Sequence, residues 1–193
     1  MKVLIVGAGA SGMMAAIAAK RQGKDVVLIE QLKEPGKKIM ATGNGKCNFT
    51  NRLLSREHYC SIDPNFVDHV FKQFSNQDAI QFFYELGVLS KERNGYYYPN
   101  SNQAASIRDA LWNECYHLGV EIRLSCQIRS IENVDGRFLI QTGQEQFCGE
   151  SLIFASGLLA GTNLGSDGSA FQYIEKFGHK LKDVVPGLVQ MKS

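Results

Sequence analysis

"KVLIVGAGASGMMAA" (residues 2–16) carries four apolar residues straight into Gly-x-Gly-x-x-Gly and then into a string of small residues. The unbroken apolar run Val3 to Val6 reads as a short strand buried on both faces, since a half-exposed strand would alternate. Ser11 to Gln22, rich in alanine, reads as a helix closed by Gly23. "DVVLIE" (Asp25 to Glu30) then supplies a second buried strand. Strand, glycine turn, helix and strand make one βαβ unit, the minimum for a doubly wound parallel sheet.

Each glycine has a mechanical task. Gly7 permits the tight turn after the strand, Gly9 lets backbone approach a pyrophosphate, and Gly12 lets the helix pack closely on the sheet. The helix N-terminus then offers free N–H groups and roughly half a positive charge to the phosphates. Glu30 follows Gly12 by 18 residues, where an acid can accept both hydroxyls of a ribose. An acid there disfavours a 2′-phosphate, so FAD or NAD fits better than NADP.

FAD and NAD share this half-site, and the rest of the chain separates them. From Gln31 to Arg52 periodicity disappears and Gly, Lys and Asn dominate, predicting a long functional loop. Asp63-Pro64 starts a helix to about Phe74, and a second helix runs from Asn76 to Leu86, before Gly87. "GYYYP" (residues 95–99) is extended, with Tyr96, Tyr97 and Tyr98 readable as a half-buried segment or as an aromatic wall for a substrate. Ser101 or Asn102 caps a further helix that carries Ile107, Leu111, Cys115 and Leu118 on one face and ends at Gly119.

Val120 to Leu124 then forms a third buried strand. Residues 127–134, the turn Asp135-Gly136, residues 137–142 and residues 146–148 alternate as a small antiparallel meander does. "SLIFASG" (residues 151–157) returns to a buried strand, and a last helix covers Ser169 to Phe177. A nicotinamide dehydrogenase would continue with further βαβ units, whereas this order suits the FAD domain of flavoproteins with two dinucleotide-binding domains. The predicted class is α/β, a Rossmann-like FAD/NAD(P)-binding domain with a parallel sheet and a small antiparallel meander.

Composition bounds the partners. The 193 residues are 44% hydrophobic, enough for a sizeable core, and the net charge is +2 with no basic stripe to track a phosphate backbone. No nucleic acid is expected as a main partner. The first apolar run ends after four residues, too short for a signal peptide, and nothing approaches a membrane span, so no membrane and a cytoplasmic location are expected. The five cysteines contain no Cys-x-x-Cys pair and the four histidines show no metal spacing, so thiols are expected reduced and metal absent.

"GAGASGMMAA", "GKKIMATGNGKCNFTN" (residues 36–51), "YYPNSNQAASI" (residues 97–107) and "GSDGSAFQYIEKFGH" (residues 165–179) together resemble the HI-type flavoproteins related to bile-acid 3-dehydro-reductases and aminoacetone oxidases. The resemblance covers nearly the whole chain, and "GKCNFTN" is its most specific part. It implies that Gly7, Gly9, Ala10, Ser11 and Gly12 surround a pyrophosphate and that Glu30, with Gln31 beside it, serves the adenosine ribose. Lys37 or Lys38, with Thr42, Gly43, Gly45, Lys46, Cys47 and Asn48, would line the route toward the flavin. Ala155, Ser156 and Gly157 match a strand end beside the cofactor.

Lys46 stands where the family usually has Arg, which keeps the charge and loses the planar fork of donors. Leu158 stands where a second Gly is usual. Similar proteins are about twice as long, so residues 1–193 correspond to the N-terminal part of an FAD-binding domain. An inserted domain and a C-terminal segment that contacts the flavin are then expected to be missing. The implied activity is a flavin-dependent oxidoreductase acting on a small molecule, with NAD(P)H as a possible electron donor. An NAD-binding dehydrogenase, a nucleotide-sensing domain or an inactive fragment are the alternatives. Neither a catalytic acid or base nor an oligomeric state follows from the residues.

Overall fold

The structure, a computed structural model, describes residues 1–60 and 62–185. An inserted domain is expected to begin at about "VVPGLVQMKS" (residues 184–193), of which residues 186–193 lie outside the described residues. In chain order the strands are β1 (Lys2–Val6), β2 (Asp25–Ile29), β3 (Thr50–Asn51), β4 (Ser90–Arg93), β5 (Tyr96–Pro99), β6 (Glu121–Arg123), β7 (Ile128–Val134), β8 (Arg137–Thr142), β9 (Gln146–Gly149) and β10 (Ser151–Phe154). The helices are α1 (Ala10–Arg21), α2 (Lys37–Ala41), α3 (Pro64–Gln73), α4 (Asn76–Glu85), α5 (Ala104–His117) and α6 (Phe171–Lys176).

The chain divides into two compact units, residues 1–38 with 115–193, and residues 39–114. In the first unit a parallel sheet runs in the order β10-β1-β2-β6. Its core strands have no alternation because both faces are covered. Leu4 and Val6 of β1 join Val27 and Ile29 of β2, and meet Ile131, Ile140 and Phe147 of the antiparallel meander β7-β8-β9. Val3 and Ile5 point to the other face by the two-residue period, where α1 buries Met13, Ala16 and Ile17. Leu4, Val27, Ile131 and Ile140 are fully buried, each contributing about 1.5–3 kcal/mol of apolar transfer.

The meander follows its alternation, and its tight turn has both Asp135 (φ 51°) and Gly136 (φ 78°) in the left-handed region. The last helix is shorter than predicted at both ends. At its start Asp167 accepts a hydrogen bond from the Ser169 backbone N–H at 3.0 Å, which holds Ser169 in a turn ahead of α6.

The second unit contains a small antiparallel sheet in the order β3-β5-β4 with α3 and α4. α3 starts where Asp63 accepts from the Asn65 N–H at 2.9 Å, with proline at the first helical position. α4 starts at a capping box, Ser75 with Asp78, that was readable in the sequence and was not predicted. α5 buries Ala104, Ile107, Leu111 and Cys115, and begins after the expected caps: Ser101 Oγ accepts from Gln103 N at 3.2 Å, while Asn102 is left-handed (φ 56°).

Residues 31–52, expected as one long loop, instead contain α2, a 3-10 turn over Thr42–Gly45 and the short β3. A helix of five residues is too short to show a period, which is why the pattern reads as loop.

Candidate functional site

The site of the first unit lies at the C-terminal ends of β1 and β10. From β1 the chain crosses to β2 on one side, and β10 returns to its other side. This reversal opens a crevice where ligands of open α/β sheets bind.

The glycine turn is fixed from three sides. Gly7 N donates to Ile29 O at 2.7 Å, Ala155 N donates to Val6 O at 2.8 Å, and Gly36 N donates to Ala8 O at 2.8 Å. Gly7 has φ 102°, and a Cβ there would lie 2.6 Å from the Ala155 carbonyl oxygen. Gly12 is tighter still, because its Cβ would lie 1.8 Å from the Gly7 oxygen. Gly9 is the opposite case. Nothing stands within 4 Å of its Cβ position, so this backbone faces open space.

Gly9 is the N-cap of α1, no side chain caps the helix, and its first turn, with Ala10 and Ser11, holds no acid. The exposed N–H groups and the positive end of a 12-residue helix therefore face that space. Such a terminus suits an anion.

Glu30, at 9% exposure, directs its carboxylate inward. Oε2 accepts from Ala8 N at 2.7 Å and Oε1 accepts from Leu32 N at 2.9 Å. The residue expected to take a ribose thus also ties the glycine turn to the end of β2. An ionised carboxylate has about four acceptor positions, so room remains for hydroxyl donors. Gln31 reaches away from that carboxylate and donates from Nε2 to Gly165 O at 3.0 Å.

Lys38 and Lys37 separate clearly. Lys37 is exposed, whereas Lys38 is half-buried and donates from Nζ to the buried Ser166 Oγ at 2.5 Å. Both atoms lie beside Gly157, whose Cβ would be 2.6 Å from Ser166 Oγ and 3.6 Å from Lys38 Nζ. Ala155 and Ser156 precede it against Gly7. Ser166 was missed in the sequence, for it lies 128 residues from Lys38 and no local pattern joins them.

In the second unit, Thr42 to Asn48 form a compact turn of unusual backbone. Gly43 (φ 56°), Asn44 (φ 54°), Gly45 (φ 78°) and Cys47 (φ 55°) are all left-handed. Thr42 Oγ1 donates to Ile39 O at 2.6 Å and Cys47 N donates to Thr42 O at 3.0 Å. Thr42, Gly43, Gly45, Lys46 and Asn48 are exposed, and Cys47 alone of the group is buried. Left-handed non-glycine residues cost energy and cluster at functional sites. Beside the turn, an open cleft of about 400 Å³ is lined by Asn48, Phe49, Asn51, Tyr59 and Phe74.

Burial pushes the Cys47 thiol up, and the hydrogen bond with Thr42 offsets this only in part. A raised thiol pKa means less thiolate at neutral pH, and thiolate is the reactive form. Iodoacetamide at pH 7.5 is therefore expected to alkylate the exposed Cys60 well before Cys47, read by peptide mass spectrometry. Equal rates would show Cys47 to be an activated thiol instead. Among the described residues no cluster of His, Cys, Asp and Glu could hold a metal, and no helix is long and apolar enough to cross a membrane.

The sheet order, glycine turn and crevice define a Rossmann-type domain. Residues 1–193 match the HI0933-like protein Rossmann domain throughout, and the chain belongs to the HI0933-like family. It is 41% identical over 193 residues to the 3-dehydro-bile acid delta(4,6)-reductase of Clostridium scindens, covering 99% of this chain and 47% of that protein. It is 32% identical over 179 residues to a ribosomal RNA dihydrouridine synthase of Haemophilus influenzae, covering 91% of this chain and 45% of that protein. The chain thus spans about half the length of these relatives. In fold it is similar to the 3-ketosteroid-delta4-(5alpha)-dehydrogenase of Rhodococcus jostii RHA1, with a TM-score of 0.58 at 13% identity, covering 80% of this chain and 45% of that one.

Proposed function

We propose that residues 1–193 form an FAD-binding domain, the N-terminal part of a flavin-dependent oxidoreductase. The observation that carries this is the uncapped N-terminus of α1 behind Gly9, open on the side where a pyrophosphate would lie. Family membership supports the choice of a flavin over a nicotinamide as the resident dinucleotide.

FAD, when bound, supplies a ring that accepts a hydride at N5. The chain's own residues hold and tune it. Gly9, Ala10, Ser11 and Gly12 would receive the pyrophosphate on backbone N–H groups. Glu30 would accept from the ribose hydroxyls while keeping Ala8 and Leu32 in place. Ala155 to Gly157, in the same unit as the glycine turn, would lie beside the cofactor. A small-molecule substrate with NAD(P)H as a possible hydride donor is the preferred reading. RNA is the second, favoured by the likeness to the ribosomal RNA dihydrouridine synthase of Haemophilus influenzae, although a net charge of +2 gives little phosphate attraction.

The test is an absorbance spectrum of gently purified protein, followed by release of any cofactor. Flavin bands with FAD released at near-stoichiometric yield are expected. A colourless protein that takes up NAD and refuses added FAD would overturn the proposal in favour of a nicotinamide-binding domain.

A further inference from the structure

We propose that Lys38 and Ser166 form a second anion subsite, at the C-terminal end of β10, that takes a phosphate oxygen of the bound dinucleotide. The proposal rests on the FAD-binding reading for the identity of that dinucleotide and on the structure for the subsite.

Lys38 is a half-buried cation with no carboxylate partner among the described residues. Lysines normally leave their ammonium in water or pair it when it is withdrawn. Here the partner is a neutral hydroxyl, itself 6% exposed. The acid next along the chain, Asp167, is engaged elsewhere, accepting from Ser169 N at 3.0 Å. The charge of Lys38 is therefore met by no carboxylate among the described residues.

The fold makes room for this pair. Gly157 is left-handed (φ 76°), and the place its Cβ would take is approached by Ser166 Oγ at 2.6 Å and Lys38 Nζ at 3.6 Å. At Gly161 (φ 72°) a Cβ would lie 3.7 Å from Lys38 Cε, in ordinary contact with the lysine stem. Gly157 thus leaves the space that Ser166 Oγ occupies beside the lysine.

That turn abuts the phosphate loop. A Cβ on Gly7 would lie 2.6 Å from Ala155 O and 2.9 Å from Ser156 Cα. A cation is therefore held in the turn that follows the strand end packed against the glycine loop ahead of α1.

The hydrogen-bond inventory agrees. An ammonium has three donors, and one is used on Ser166. A hydroxyl that accepts from an ammonium still has its own hydrogen to give, and Ser166 has no acceptor for it among the described residues. The pair offers N–H and O–H donors, the set a phosphate oxygen takes. Ser166 is the positioning residue, and Lys38 carries the charge.

The test measures dissociation constants of FAD, ADP, inorganic pyrophosphate and riboflavin for the purified chain and for Lys38→Gln, Lys38→Arg and Ser166→Ala, with thermal midpoints recorded for each. Lys38→Gln is expected to weaken FAD, ADP and pyrophosphate by about 10- to 100-fold, the scale of a charge-assisted bond, and to leave riboflavin unchanged. It should also flatten the salt dependence of FAD binding. Lys38→Arg should recover part of the loss, and Ser166→Ala should weaken the same three probes by about threefold to tenfold.

Unchanged FAD and ADP affinity in a folded Lys38→Gln protein would overturn the subsite and leave the FAD reading standing. ADP and pyrophosphate binding that depends on Lys38, with no uptake of FAD, would support the subsite and overturn the FAD reading. A wild-type protein that binds none of the three phosphates would overturn both.

Discussion

Gly12→Ala is expected to cost about 3 kcal/mol or more, or to prevent soluble expression. The added methyl carbon would lie 1.8 Å from the Gly7 carbonyl oxygen, 3.0 Å from its carbon and 3.3 Å from the Ala155 side chain. None of these can swing aside. The first two are backbone, and Gly7 is pinned by its bond to Ile29 and by the Ala155 carbonyl on its far side. α1 would have to lift from the sheet, breaking the burial of Met13, Ala16 and Ile17. Gly9→Ala is the control, since nothing stands within 4 Å. Its cost should stay within about 1 kcal/mol, that of losing a glycine N-cap. Urea unfolding followed by circular dichroism separates them, and equal midpoints for Gly12→Ala and wild type would refute the packing argument.

Replacing Glu30 is expected to have the second largest effect. Glu30→Ala removes two charge-assisted bonds and leaves the buried N–H of Ala8 and the part-buried N–H of Leu32 without them. About 3 kcal/mol of stability should be lost, before any effect on a ligand. Glu30→Gln keeps one acceptor oxygen and turns an NH₂ toward the other amide, so it should fall between the two. If Glu30→Ala unfolded at the wild-type midpoint, the carboxylate would be a ligand group alone. The predicted ordering therefore separates a scaffold role from a ribose role, which the spacing of an acid after a glycine turn cannot do.

The βαβ opening and the meander were legible because each rests on local patterns. Val3 to Val6 and Asp25 to Glu30 are apolar without alternation, and residues 127–148 alternate with Asp135-Gly136 between two strands. β4 was missed. Its sequence, Ser-Lys-Glu-Arg, has no strand propensity, and it forms because Asn94 and Gly95 turn the chain back onto Tyr96–Pro99. That Asn-Gly signal was present and outweighs composition. The sequence separation of Glu30 from the glycine turn was legible, whereas the inward bonds of Glu30 depend on where Ala8 and Leu32 fall in space. Ser166 illustrates the general limit, since a hydroxyl meets its lysine only after the sheet, α2 and the turn after β10 have assembled.

The central position of β1 has a consequence for synthesis on the ribosome. One of its edges is paired early by β2, and the other waits for β10, with Val6 opposite Phe154. At about 5–20 residues per second, roughly 7–30 s separate emergence of the two strands. Through that interval the nascent chain displays an uncharged Val-Leu-Ile-Val edge, a template for stray strand pairing. The rate of elongation from β1 to β10 sets how long that edge stands unpaired.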